Sequence, residues 1–160
     1  MFNDTKRLFF LSLKNSYSFT LIELLIVISI LGLLIIGGLS QYYNSIKSAR
    51  DARRKSDLQS IQKALETYYQ DLGGYPGTIP DPFCHPTDCA TAQYMTTLPK
   101  DPSGEPYFYE SDGTYYRLYA CIENPNDNGP GVNQAGYTPA CGIDRCNPCR
   151  YGISSTNTVP

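Results

Sequence analysis

The residue with the clearest chemical consequence is a single carboxylate in an apolar segment. Glu23 is the only charged side chain between Lys14 and Lys47, and most of its neighbours are Leu, Ile, Val and Phe. A carboxylate near hydrocarbon depth is costly, so it requires protonation or a specific positive partner. The alternative is an ordinary end of a membrane span, where the acid reaches the headgroups and has no partner. Glu23 is therefore the first candidate site.

The apolar segment that holds this acid is long enough to span a bilayer. Residues 19–39 are almost continuously apolar, and a spanning helix needs about 20 such residues. A secretory signal peptide is the alternative, but its apolar core is typically about 7 to 15 residues and ends at a small-residue cleavage site. Because this segment continues into a helical pattern, we predict a retained helix rather than a removed signal.

The charges before the span predict its orientation. The N-terminal segment has three basic residues, Lys6, Arg7 and Lys14, and one acidic residue, Asp4. Positive charge next to a membrane helix marks the side that stays in the cytoplasm. We therefore expect residues 1–18 inside and everything after residue 40 exported.

The helix is predicted to continue beyond the apolar segment. No proline occurs from Gln41 to Leu72, and apolar residues recur at steps of three and four along one face. These residues are Leu58, Ile61, Leu65, Tyr68 and Leu72. Gly73-Gly74 is a good C-terminal stop. A helix from Phe19 to Leu72 would be roughly 80 Å long, and its outer half must pack on a soluble head.

The segment from Asn15 to Leu25 resembles the processing site of the type IV pilin and type II secretion pseudopilin superfamily. In that family a prepilin peptidase cuts before a Phe, the new N-terminus is methylated, and a Glu four residues further on is the signature acid. The resemblance implies cleavage and N-methylation at Ser18-Phe19, with Glu23 as the signature acid. The residue before the cut is usually Gly in the family, whereas here it is Ser18, which is also small.

The resemblance also suggests a role for the acid in assembly. Hydrolysis before Phe19 creates a cationic amine, and in a filament the amine of one subunit can meet Glu23 of its neighbour. Opposite charges attract far more strongly at low dielectric than in water, although only the surplus over desolvation counts. Our hypothesis is that this pairing sets the register of subunits.

The stretch Lys47–Asp57 is the one dense run of positive charge. It could suggest nucleic-acid binding, but a solvated helix face with interleaved acids, in the headgroup zone or between subunits, is the preferred interpretation. The head also argues against DNA capture, because residues 75–160 hold four Lys or Arg against nine Asp or Glu. We therefore expect no strong nucleic-acid interaction.

The head, residues 75–160, holds all twelve prolines and all six cysteines. Aromatic runs at 107–110 and 115–122, joined through Asp112-Gly113, predict an antiparallel hairpin. A third strand is expected around Tyr137 to Cys141 or at Arg150 to Ser154. The tyrosines are expected to pack between sheet and helix or to line the surface.

The cysteines are expected to form disulfides, since a small exported head needs covalent bracing in an oxidising compartment. The candidates are Cys84, Cys89, Cys121, Cys141, Cys146 and Cys149. Local bridges from Cys84 to Cys89 and from Cys121 to Cys141 are the suggested pairs, although sequence alone cannot choose among the pairings.

Two metals stay open as alternatives to a head without cofactors. Zinc could bind the three C-terminal cysteines together with His85. Calcium could be held through Asp127, as a C-terminal loop holds it in some pseudopilins, whereas an ordinary turn is the plainer interpretation of that loop.

These observations predict an α+β, pilin-like subunit rather than an enzyme, since the single His85 has no nucleophile motif beside it. Its parts would be a cleaved basic leader (1–18), a transmembrane and filament-core helix (19–45), an amphipathic helix half (46–74) and a small antiparallel sheet with disulfide-braced loops (75–160). The expected function is a structural subunit of a type IV pilus-like filament. The alternatives are a type II secretion pseudopilin and a membrane-anchored ligand-binding module.

The expected partners follow from this function. They are other copies of the chain, the prepilin peptidase, assembly machinery in the inner membrane, and minor pilins. The precursor would be a single-pass inner-membrane protein, and the assembled subunit would lie in an extracellular or periplasmic filament.

Overall fold

A computed structural model describes residues 18–141 and 147–160, without the side-chain surroundings of 37–40. The chain divides into two units, one up to Gln41 and one from Tyr42 to Pro160. Helix α1 comprises Leu21–Leu72, two residues shorter at its start than predicted. Within the described residues, α1 is the one helix long and apolar enough to cross a membrane by length and composition, with a window of mean hydropathy 2.7.

The C-terminal end of α1 is set by glycine, as predicted. Gly73 has a φ of 73° and donates its N–H to the Tyr69 carbonyl at 2.7 Å. A left-handed residue at this position satisfies a carbonyl of the last turn and turns the chain away, and glycine adopts that conformation at no steric cost. The chain then enters the head.

The head contains two antiparallel sheets. Strands β1 (Phe83–Cys84) and β2 (Gln93–Met95) form a two-stranded sheet, which the sequence analysis did not predict. Strands β3 (Phe108–Ser111), β4 (Tyr116–Ala120) and β5 (Tyr151–Ser154) form the second sheet in the order β3-β4-β5. The predicted hairpin is therefore confirmed, and the third strand follows the second of the two suggested positions.

The register of the three-stranded sheet aligns a buried central strand with both neighbours. Tyr109 pairs with Leu118, and Leu118 pairs with Ile153. Every residue of β4 except Arg117 is buried, because α1 covers one face and loop residues cover the other. On that second face the Tyr119 ring lies 5.2 Å from the Tyr137 ring, measured between centroids.

The core lies between the head portion of α1 and this sheet. Leu58, Ile61 and Leu65 are buried against Tyr116 and Leu118, so the predicted apolar face is the packing face. Two other positions on that face differ in burial. Tyr68 is partly buried and stacks on Phe83, whereas Leu72 is 40% exposed. Burial of these side chains stabilises the head by about 25 cal/mol per Å² of apolar surface removed from water.

Tyrosine hydroxyls add polar contacts from the head to the helix. Tyr75 and Tyr116 both donate to the Glu66 carboxylate, at 3.1 and 3.0 Å. Tyr107 donates to Asp57 at 2.7 Å. These rings pack between sheet and helix as predicted, and each hydroxyl group has a carboxylate of the helix as its hydrogen-bond acceptor.

The disulfides agree with one suggested pair and contradict the other. Cys84 is bonded to Cys89, and Cys141 is bonded to Cys149. The suggested pairing of Cys121 with Cys141 is therefore wrong, although Cys121 is itself disulfide-bonded. Two backbone hydrogen bonds place Cys149 beside residues 137–141. The Tyr137 N–H donates to the Cys149 carbonyl, and the Cys149 N–H donates to the Pro139 carbonyl. Cys146 lies outside the described residues.

Candidate assembly site

The predicted cleavage bond lies just outside the helix. Ser18, Phe19 and Thr20 are non-helical and exposed, and the Phe19 side chain is 76% exposed. Exposed non-helical backbone is the kind that proteases reach most readily. The geometry of this segment is thus compatible with the expected processing, which remains a prediction.

Thr20 caps the helix and contacts the signature acid. The Leu24 N–H donates to the Thr20 carbonyl at 3.2 Å, which makes Thr20 the N-cap residue. The Glu23 N–H donates to Thr20 Oγ1 at 3.2 Å, and the Thr20 hydroxyl donates to Glu23 Oε2 at 3.4 Å. Sequence analysis missed Thr20, although the Thr-x-x-Glu spacing is that of a capping box. An acid in the first helical turn also complements the helix dipole.

The helix that follows presents an apolar surface that no other described residue covers. None of its most apolar window is buried, and its large side chains from Leu21 to Ile36 are between 45% and 81% exposed. Besides Glu23, Ser29 is the polar residue of this stretch, and its hydroxyl donates to the Leu25 carbonyl at 2.6 Å. An apolar patch of this extent is typical of a membrane or protein interface.

A buried ionic cluster lies further along α1, inside the head unit. The Arg54 guanidinium is almost fully buried and donates to Asp101 at 2.5 and 3.1 Å, to Asp51 at 2.8 Å and to Glu123 at 2.8 Å. Burial alone would lower the pKa of Arg54, but the hydrogen bonds to Asp101 and Glu123 raise it above its usual value. One cation thereby joins the helix to two segments of the head.

Asp51 and Arg50 complete this cluster. The buried Asp51 carboxylate accepts the N–H groups of Glu123 and Asn124 at 3.0 and 2.9 Å, and Arg50 Nε donates to Glu123 at 2.8 Å. Hydrogen bonding from Arg50 is the main cause that lowers the pKa of Glu123 to about 2. Burial works to raise the pKa of Asp101, but donors from Arg54 and Ser103 hold it below its usual value.

This arrangement corrects the interpretation of the basic run. Asp51 and Arg54 are buried, so Lys47–Asp57 is only in part a solvated face. Arg53 fits the expectation, with a side chain 67% exposed and a distant 3.8 Å contact to Asp57. Arg54 lies four residues before Leu58 and so continues the packing face of α1, whereas Arg53 points away from that face.

The C-terminal loop has its own ion pair. Lys55 Nζ lies 2.6 Å from Asp127 Oδ2 and 5.6 Å from the centroid of the Tyr151 ring. Hydrogen bonding from Lys55 is the first cause that lowers the pKa of Asp127. Asp127 Oδ1 also accepts the Gly129 N–H at 3.0 Å.

The metal alternatives can be compared with these contacts. Zinc ligation by Cys141 and Cys149 is incompatible with the disulfide that joins them, because a metal-binding cysteine must be a free thiolate. His85 contacts Thr87, with Nδ1 2.8 Å from its hydroxyl. Across residues 18–141 and 147–160, no group of three His, Cys, Asp or Glu side chains is placed to hold a metal ion.

A long N-terminal helix with an uncovered apolar first part, packed through its later part on a small antiparallel sheet, defines a pilin-like subunit. The comparisons agree with this class. The family model described as type II secretion system (T2SS), protein G, matches residues 41–136, and the model for the prokaryotic N-terminal methylation motif matches residues 13–39. This chain therefore belongs to the type II secretion system protein G family, whose members are structural subunits and not enzymes.

Several curated relatives are similar to most of the chain, and each is named type II secretion system core protein G. The relative from Pseudomonas aeruginosa is 33% identical over 127 residues, covering 72% of this chain and 89% of the relative. The relative from Pectobacterium carotovorum is 30% identical over 140 residues, covering 74% and 86%. The relative from Aeromonas hydrophila is 29% identical over 114 residues, covering 66% and 80%. No solved structure matches the chain significantly.

Proposed function

We propose that this protein is the main structural subunit of a type II secretion pseudopilus. The observation that carries the proposal is the match to protein G across residues 41–136, which covers the head portion of α1 and most of the head. The comparisons favour this alternative over the type IV pilus subunit that we expected first.

The proposed route begins with processing. The prepilin peptidase cleaves the Ser18-Phe19 bond, and the new N-terminus at Phe19 is methylated while α1 holds the subunit in the inner membrane. The support is the methylation-motif match to residues 13–39 and the exposed, non-helical backbone at Phe19. The head is then on the periplasmic side, where its disulfides are stable.

Assembly then covers the apolar surface of the helix. Subunits leave the membrane and pack their helices together, so the exposed side chains from Leu21 to Ile36 exchange lipid for one another. Glu23 meets the Phe19 amine of a neighbouring subunit, and their attraction at low dielectric favours the correct axial register. Head-to-tail contacts that do not close produce a helical filament.

Deletion of the gene in the native host, with complementation by the wild-type chain, tests the proposal. We expect secretion of exoproteins across the outer membrane to stop and surface pili to remain. Loss of surface fibres with intact secretion would favour a type IV pilus subunit. A strain that retains both, with the protein as a membrane monomer, would favour the anchored binding module.

A further inference from the structure

The loop after β4, residues 123–136, contains Asp127, through which calcium stays open as an alternative to an ordinary turn. Calcium in proteins takes six to eight oxygen ligands from carboxylates, carbonyls and water. Asp127 is the carboxylate of this loop that could supply oxygen ligands to calcium. Whether the loop fits an ion depends on which partners its oxygen atoms already have.

The Asp127 carboxylate is already matched by a cation from the helix. Lys55 Nζ lies 2.6 Å from Asp127 Oδ2, and Oδ1 accepts the Gly129 N–H at 3.0 Å. Both side chains of the pair are largely buried, with 25% of Lys55 and 18% of Asp127 exposed. Gly129 leaves the space that the pair needs, because an added Cβ would lie 3.2 Å from Asp127 Oδ1 and 3.3 Å from Lys55 Nζ.

Carbonyl oxygens of the loop also have protein donors. Gln134 Nε2 donates to the carbonyls of Asp127 at 2.6 Å and of Asn124 at 3.2 Å. The Gly129 carbonyl accepts the Val132 N–H at 3.0 Å. Backbone carbonyls are typical calcium ligands, and here the Gln134 amide and the Val132 N–H donate to these carbonyls where an ion would otherwise bind.

The negative charge of Glu123, at the start of the loop, is also compensated by cationic side chains of α1. The Glu123 carboxylate is paired with Arg50 and Arg54, and the Glu123 and Asn124 N–H groups donate to Asp51. A divalent cation approaching Asp127 would meet the Lys55 ammonium within contact distance of the same carboxylate, and like charges at that range repel strongly. The described residues of the loop thus do not fit a calcium ion.

We infer that the Lys55 ammonium is the resident cation of this loop, and that with Gln134 it holds residues 123–136 in place without calcium. The inference concerns the fold of the head, and it holds whether the filament is a pseudopilus or a pilus. It assigns to one lysine of α1 the charge that a bound divalent ion would otherwise supply. The aromatic face of Tyr151 further favours a cation at this position.

Hydrogen exchange of the processed full-length protein, read by mass spectrometry for peptides covering 123–136, tests this inference. Samples are dialysed against excess EDTA or against millimolar calcium chloride, with the disulfides intact. We expect equal protection in both solutions for the wild type. Lys55→Met should raise exchange in this loop by about fivefold or more, because local opening then costs less.

Two variants serve as controls. Lys63→Met removes an exposed lysine of the same helix for which no carboxylate contact occurs among residues 18–141 and 147–160, and it should leave the loop unchanged. Lys55→Arg keeps the charge and should retain most of the hydrogen-exchange protection that Lys55→Met loses in residues 123–136. The inference is overturned if EDTA lowers or calcium raises wild-type protection, or if Lys55→Met behaves as Lys63→Met does. If Lys55→Met fails to fold, the wild-type comparison still decides whether the loop depends on calcium, and Lys55→Arg against the wild type tests the lysine.

Discussion

Arg53 and Arg54 are neighbours on one helix, and the same substitution at each should have very different effects. Arg54 is 4% exposed and contacts three carboxylates, whereas Arg53 is 67% exposed with one contact at 3.8 Å. Removal of one partner from a buried ion pair costs about 3–5 kcal/mol, because the other charge is left uncompensated. An exposed pair contributes only about 0–1 kcal/mol.

The expected result can be stated in denaturant concentration. A domain of this size has an m-value of about 2 kcal/mol/M in urea. Arg54→Met should therefore lower the urea midpoint by about 1.5–2.5 M at neutral pH, and Arg53→Met by less than about 0.5 M. Circular dichroism of the non-reduced protein gives both midpoints under identical conditions.

A graded variant sharpens this test. Arg54→Lys keeps the charge but has a single ammonium, which cannot make the forked contacts that the guanidinium makes to Asp101. Its midpoint should fall between those of the wild type and Arg54→Met. If Arg54→Met shifts the midpoint no further than Arg53→Met, the reasoning that the buried cluster braces the head is refuted.

Four further results are expected. The pKa of Glu123 falls from 4.5 to about 2 on folding, so its stabilisation is present above pH 4.5 and is lost as pH falls toward about 2. Glu123→Gln should flatten that part of the curve of unfolding free energy against pH, and an unchanged curve would contradict the linkage. Joint replacement of Cys141 and Cys149 by Ser should lower the free energy of unfolding by about 2–3 kcal/mol, from the closure entropy of a short loop, and equal urea midpoints for mutant and wild type would exclude this. Gly73→Ala should cost about 1 kcal/mol because its φ is 73°, whereas Gly77→Ala, with open space around it, is the matched control in thermal unfolding. Glu23→Gln subunits co-expressed with wild type should enter filaments less often, measured by isotope-labelled peptide ratios, and equal incorporation would remove the registration hypothesis.

The helix and the hairpin could be predicted from sequence because their signals are local. Apolar residues at steps of three and four mark the packing face of α1, and Leu58, Ile61 and Leu65 on that face are buried. The Gly73-Gly74 stop and the Asp112-Gly113 turn act within a few residues. Such patterns depend on backbone conformation near the residue itself and need no knowledge of distant contacts.

The ionic cluster could not be predicted because its partners lie far along the chain. Arg54 meets Asp101 at a separation of 47 residues, and Asp51 meets the Glu123 N–H at a separation of 72. The position of Arg54, four residues before Leu58, places it on the packing face of α1, but nothing near it in sequence shows which carboxylates it meets. The pairing of Cys141 with Cys149 was missed because it depends on backbone hydrogen bonds of Cys149 with Tyr137 and Pro139, which no sequence pattern indicates. Strands β1 and β2 have two and three residues, too few for an alternating pattern.

The most direct test is the mass of the N-terminal peptide of the protein in sheared, high-molecular-weight filaments from the native host. The account predicts a peptide that begins at Phe19 and carries a methyl group on its amine. A protein that keeps Met1 and stays in the membrane fraction would contradict it.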